Sequence, residues 1–177
     1  MRHALTMALA VAMLASCGSK DSEAPPVTAA THKGPRSIGY DLRRLRPRNE
    51  EKLVAMFERM RAQATSEGKH VAVLFSADWC EPCRKLELEL GNTQPEDAIG
   101  HVRILELKEE DWEAATRLDE FEELRARWYG RASSYPVFVV LDEQGKKIEE
   151  MQEAIDRLEK SGVEPTVANW FRELATG

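Results

Sequence analysis

Residues 71–90 read VAVLFSADWCEPCRKLELEL. Lys69 to Phe75 contains the apolar run Val71 to Phe75 with two β-branched valines, a stretch suited to a strand buried on both faces. Ser76 to Cys83 interrupts it, and Arg84 to Leu90 then follows helical spacing. Strand, turn, Cys-Glu-Pro-Cys and helix in that order put Cys80 at a helix N-terminus. Unpaired backbone amides and the helix dipole favour a thiolate there. Cys83, one turn further in, is shielded and positioned to attack a mixed disulfide formed at Cys80. Pro82 stiffens the turn between them.

Two cysteines two residues apart are open to four readings. Zinc needs about four ligands. The only other cysteine is Cys17, and His32, His70 and His101 show no ligand spacing. Haem attachment requires His directly after the second cysteine, and Arg84 stands there. A structural disulfide over so short a loop contributes little to stability. Redox exchange is what is left, with the Cys80 thiolate as the attacking species.

The pattern extends outward in both directions. Asn49 to Glu67 reads as a helix, with Leu53, Met56, Phe57 and Met60 on one face and Gly68 as its stop. His101 to Lys108 is a second strand. Glu109 to Tyr129 reads as one helix, with Phe121, Leu124 and Trp128 along one side. Val137 to Leu141 is a third strand, with a turn at Asp142–Gly145 before Lys146 to Glu150. Residues 151–161 read as helix or as an insertion before a last helix near Pro165 to Ala175, in which Pro165 is the expected first residue. Strands and helices that alternate, with a late antiparallel pair, predict an α/β sandwich: a central mixed β-sheet flanked by helices.

The chain has 177 residues, 42% of them hydrophobic, 32% charged and 7% aromatic, with a net charge of -6. That is enough apolar material for one packed core, and it excludes collagen, a multi-pass membrane protein and a wholly disordered chain. Charge is distributed unevenly. Residues 1–48 hold eight Lys/Arg against three Asp/Glu (+5), so the remainder holds seventeen against twenty-eight (-11). A body that acidic is ill suited to phosphate backbones, so no nucleic-acid partner is expected.

The N-terminus reads as an address. Met1-Arg2-His3 is followed by a twelve-residue run, Ala4 to Ala15, which is apolar apart from Thr6 and too short to span a membrane. It ends in Leu14-Ala15-Ser16-Cys17, which resembles a bacterial lipobox. That resemblance implies cleavage after Ser16 and diacylglycerol and acyl chains on Cys17. The plainer reading is an ordinary cleaved signal peptide with a chance cysteine; the position, the small residues and the short run favour lipidation. Residues 18–37 are rich in Ser, Thr, Ala, Pro and Gly and read as a tether. Residues 36–48 carry five arginines. These either meet anionic headgroups or dock on the acidic body through Ile38, Tyr40, Leu42 and Leu45, whose regular spacing favours docking. The expected organisation is a signal peptide over 1–16, a lipidated N-terminus and flexible tether over 17–48, and one domain over 49–177.

Over that domain the sequence resembles the thioredoxin superfamily, most closely the thioredoxin-like domains of bacterial envelope thiol:disulfide interchange proteins. The matching residues are Ala77-Asp78-Trp79-Cys80-Glu81-Pro82-Cys83 with Lys85, and the later segment Tyr129 to Val139, which contains Tyr135-Pro136-Val137. The resemblance implies that Cys80 is the nucleophile and Cys83 the resolving thiol, and that Trp79 covers the disulfide. It also implies that Pro136 is cis, leaving the Tyr135 backbone free to pair with an extended substrate. The sequence departs from the family at one point. Many thioredoxins place a buried Asp six residues before the first cysteine, and Leu74 stands there instead. Asp78 and Glu81 are the nearby carboxylates.

The expectation is a protein-disulfide reductase that needs no cofactor and no metal, acts on protein thiol and disulfide clients, and draws electrons from a membrane donor. It faces the periplasm from a lipid anchor, in either membrane of the envelope. Two alternatives belong to other classes: a non-catalytic binding module or assembly factor, and a dithiol that handles Cu(I).

Overall fold

The computed structural model describes residue 34, residues 36–129 and residues 134–174. The proposed signal peptide and Cys17 lie outside these described residues.

The strand foreseen in the diagnostic stretch is β3 (His70–Ser76), and it is the centre of a five-stranded sheet. β5 (Val102–Lys108) runs parallel to it on one side, with Leu74 opposite Glu106 and Ser76 opposite Lys108. On the other side β6 (Val137–Leu141) runs antiparallel, with Phe75 opposite Val137. β7 (Lys147–Glu150) closes that edge. All residues of β3 after His70 are buried, as an apolar run covered on both faces requires.

Side chains alternate across β3 and β5. Val71, Val73, Phe75, Leu105 and Leu107 enter one core with α1 (Leu53–Ser66) and α5 (Leu118–Arg125). Ala72, Leu74, Val102 and Ile104 enter the other, with α2 (Glu81–Leu90), α6 (Met151–Lys160) and α7 (Val167–Leu174). The architecture is the expected mixed sheet flanked by helices.

The folded unit begins earlier than residue 49. β2 (Asp41–Arg44) pairs in parallel with β5 and forms the other edge of the sheet, so the expected flexible tether over 17–48 is corrected over its last residues. The reason is both apolar and ionic. Leu45 is buried, and Ile38 and Tyr40 pack against the second core. Asp41 Oδ2 accepts from Lys69 Nζ at 2.6 Å and from Arg103 Nε at 2.9 Å, while Arg44 Nε reaches Asp111 at 2.7 Å. Docking is thus the fate of this basic segment. Just before it, β1 (Ser37–Ile38) pairs antiparallel with β4 (Gln94–Pro95), which leads into the one-turn α3 (Glu96–Ile99).

The helix expected over 109–129 is two helices, α4 (Glu109–Ala114) and α5. Thr116 adopts φ 55°, the left-handed conformation that ends a helix, and Arg117 N closes back on Trp112 O at 2.9 Å. The break lets Trp112, Phe121 and Leu124 all face the first core. α1 starts at Leu53, later than Asn49, because Glu120 of α5 accepts the Leu53 amide at 2.8 Å and caps it from a distance. Residues 151–160 are helical, with Glu153 accepting the Glu150 amide at 2.8 Å. α7 begins two residues after Pro165: the Thr166 hydroxyl accepts the Asn169 amide and Glu89 accepts the Val167 amide.

Candidate functional site

The site lies where β3 ends and α2 begins. Asp78 and Trp79 turn the chain, and Cys80 takes an extended conformation as the residue before the helix. Asp78 N donates to Glu110 Oε1 at 2.6 Å and Arg84 donates to Asp78 O at 2.9 Å, so the turn is pinned from α4 and from α2 itself. Glu81 and Pro82 are the first two helical residues. Proline is tolerated there because its missing N–H has no intrahelical partner to lose.

Cys80 and Cys83 are joined by a disulfide with their Cα atoms 5.3 Å apart. The Cys83 amide also donates to Cys80 Sγ at 3.1 Å. A donor aimed at this sulfur favours its charged form once the bond is open. Both cysteines are buried, Cys80 at 4% exposure and Cys83 at 1%, with Ala77 and Tyr135 packed around them.

Of the other sequence-predicted residues, Tyr135 packs against the pair and Trp79 packs against Tyr135. The Tyr135–Pro136 bond is cis. The register Phe75–Val137 brings this bond alongside the end of β3, and Tyr135 contacts the cysteine cluster. Trp79 is 67% exposed and meets Tyr135 edge-on, ring centroids 5.5 Å apart. Tyr135 also lies under the Arg125 guanidinium, 4.8 Å from the ring centroid. Burial, with Glu109 nearby, holds the Tyr135 hydroxyl well above the usual phenol range, so it stays protonated.

Neither carboxylate named from the sequence sits as a buried base. Asp78 Oδ1 accepts from Lys108 Nζ at 2.8 Å, and that hydrogen bond holds its carboxyl below the usual range. Glu81 is exposed and pairs with Lys85 one turn on, at 3.0 Å. What sequence reading missed lies on β5. Lys108, 9% exposed, also meets Glu87 Oε1 of α2 at 2.6 Å, and Glu106 is buried two residues before it. The available signal was alternation: in Val-Arg-Ile-Leu-Glu-Leu-Lys, Glu106 and Lys108 share the face of apolar Ile104.

A family model described as a thioredoxin-like domain matches residues 49–159. Among solved structures, a disulphide isomerase from Xylella fastidiosa Temecula1 aligns with a TM-score of 0.50 at 18% identity, over 74% of this chain and 98% of that one. A thioredoxin from Nicotiana alata aligns at 0.45 and 22% identity, over 72% and 95%. A poplar thioredoxin h aligns at 0.44 and 21% identity, over 68% and 92%. A search of curated proteins finds no match.

Proposed function

The chain belongs to the thioredoxin-like domain family, and from that premise we propose that it is a lipid-anchored thiol–disulfide oxidoreductase that reduces disulfides of envelope proteins. The observation that carries this reading is the bond between Cys80 and Cys83 at the N-terminus of α2, with the Cys83 amide on Cys80 Sγ. In the reduced protein, the Cys80 thiolate attacks a client disulfide and a mixed disulfide forms. Cys83 then attacks Cys80 Sγ, the client leaves as a thiol, and the Cys80–Cys83 bond is restored.

The exposed Trp79 ring and the Tyr135–Pro136 segment beside the pair are the surface against which a client strand lies. The Tyr135 ring in this surface also carries the Arg125 guanidinium over it. Pro82 between the cysteines supports the reducing direction, since a thioredoxin-like pair lies near about -270 mV and a strong oxidant near about -120 mV. A reductase outside the cytosol needs electrons from a membrane donor. Cys17 supplies the anchor in this reading, because two or more acyl chains hold a protein stably to a bilayer. Among the described residues no helix is long and apolar enough to cross a membrane.

The test uses two measurements. The purified protein is equilibrated in redox buffers and the Cys80–Cys83 couple is read by thiol trapping. A potential at or below about -230 mV supports a reductase, and one near about -120 mV reverses the direction. Cys83→Ser is expressed in the native envelope, where clients accumulate on Cys80 as mixed disulfides that dithiothreitol releases. Absence of any reversible couple and of any trapped client overturns the reading in favour of a binding module.

A further inference from the structure

A groove of about 260 Å³ lies between α1 and β2 with the residues that follow it. Leu42, Met56 and Met60 supply much of its apolar lining. The polar lining is all arginine: Arg43, Arg44, Arg46 and Arg48 from the docked segment, and Arg59 from α1. Among the described residues no carboxylate lines it.

The fold neutralises this charge incompletely. Arg43 pairs with Asp41 at 2.8 Å, Arg44 and Arg46 share Asp111 Oδ2 at 2.7 and 3.5 Å, and Arg59 pairs with Glu51 at 3.0 Å. Asp41 is in turn shared with Lys69 and Arg103. The Arg48 side chain makes no hydrogen bond or ion pair among the described residues. Five guanidiniums thus meet three carboxylates. The side chains of Arg43, Arg46 and Arg59 are more than half exposed, and a guanidinium has five N–H donors, so several stay open to a ligand.

Arg44 and Arg46 bring the groove to the end of the sheet that carries the cysteines. β2 and β3 both run parallel to β5, so their C-terminal ends lie together, and β3 leads from that end into the Cys80 turn. Asp111, which both arginines meet, follows Glu110, whose Oε1 accepts the Asp78 amide at 2.6 Å. Asp78 is two residues before Cys80. Along that path Arg44 stands at most about 27 Å from Cys80, a span that about eight extended residues cover. The Asp78 carboxyl is held down chiefly by its Lys108 hydrogen bond, and the Arg44 charge reaches it as well.

We propose that this groove docks an extended acidic segment of the client protein and so selects which disulfides reach Cys80; this rests on the redox reading above. Client carboxylates pair with the guanidiniums, whose forked donors match a carboxylate in two bonds. Apolar residues between those carboxylates lie on Leu42, Met56 and Met60. Residues 49–177 carry a net charge of -11, so the body of the domain disfavours such a segment where the groove attracts it. Anionic lipid headgroups carry the same charge as a carboxylate. A bilayer on the groove, however, would lie against the end of the sheet where a client must approach Cys80.

The experiment mixes pre-reduced full-length protein with two disulfide-bonded peptides that differ in one arm of about ten residues, long enough to reach the groove. One arm is rich in Glu and Leu, the other in Lys and Leu. Wild type should form the mixed disulfide with the acidic peptide about 10-fold faster at low ionic strength, and within about twofold at about 1 M salt. Arg46→Glu with Arg48→Glu should abolish the preference, while the rate with a small uncharged disulfide stays within about twofold. Arg46→Lys with Arg48→Lys should keep most of the preference. Lys146→Glu with Lys160→Glu, an equal change of net charge at exposed positions outside the groove, should keep it too. A preference that survives the arginine reversal overturns the proposal, as does one lost equally in the Lys146 and Lys160 variant. Equal wild-type rates with the two peptides, with the arginine reversal instead losing binding to phosphatidylglycerol vesicles, overturn it in favour of lipid. Each of these results leaves the oxidoreductase reading standing. A wild type that reacts with neither peptide nor the small disulfide sinks both.

Discussion

Lys108 Nζ lies 2.8 Å from Asp78 Oδ1, so the end of β5 holds the turn that delivers Cys80 to its helix. The lysine is largely buried while the aspartate is largely exposed, which makes this a strut from the sheet to the loop. Its second contact, to Glu87, ties the same strut to α2 one turn beyond Cys83.

Lys108→Met should therefore lower stability at pH 7, by about 1 kcal/mol, less than a fully buried hydrogen bond to a charged group is worth because the Asp78 side chain is mostly in solvent and its pairing is screened. Asp78 is held ionised chiefly by this hydrogen bond. A lowered carboxyl contributes stability above its unfolded pKa and loses it as pH falls through the folded one. The deficit of the variant should then be greatest near neutrality and shrink below about pH 4. Thermal melts of both proteins at several pH values check this; a deficit independent of pH refutes it.

Glu120 should make a separate acid-sensitive contribution. Its carboxyl is pushed down to about 2, first by the Arg117 hydrogen bonds and then by the Leu53 amide it caps. The stability it supplies is complete above its unfolded value of 4.5 and is lost as pH falls from there toward 2. Glu120→Gln should cost about 1–3 kcal/mol at pH 7 and much less at about pH 2.5. Urea titrations at the two pH values measure the difference.

Thr116→Gly should stabilise the protein. A β-branched residue at φ 55° is strained by about 1–2 kcal/mol, and glycine removes that strain while adding unfolded-state entropy. The net gain should be about 0.5–1 kcal/mol, visible as a rise in the urea midpoint. A fall in the midpoint would show that the Thr116 hydroxyl, which donates to Ala115 O at 2.7 Å, matters more than the backbone.

Trp79→Ala should separate client binding from folding. The residue is two-thirds exposed, so its removal should change stability by less than about 1 kcal/mol. Losing an aromatic contact of about 1 kcal/mol should slow mixed-disulfide formation roughly fivefold with a peptide client. The reaction of Cys80 with a small disulfide, which needs no such surface, should be unchanged. Equal slowing with both substrates would assign Trp79 to the chemistry at sulfur and not to client contact.

Much of the site was legible because its parts are local. Cys80, Pro82 and Cys83 fall within one helical turn, and the apolar run before them needs only its own pattern to be read as a buried strand. Residues 151–160 were harder, because Glu150 and Glu153 signal a helix start only when their backbone contacts are seen. The single helix expected over 109–129 failed at Thr116, a residue with no sequence mark of a helix end. Its left-handed conformation follows from Trp112, Phe121 and Leu124 all being drawn into one core.

The sequence by itself determined the strand, the Cys-Glu-Pro-Cys turn, the helix and the mixed sheet, because hydrophobic period and cysteine spacing act over a few residues. Only tertiary structure decided that residues 41–44 complete the sheet, since Asp41 meets Arg103 across 62 positions and Leu45 has no core until β5 supplies one. It also decided that Glu106, an ordinary glutamate in the sequence, is buried under α2 while Asp78 and Glu81 face solvent. Burial depends on what packs above a residue, and here the cover comes from a helix that the chain formed some twenty residues earlier.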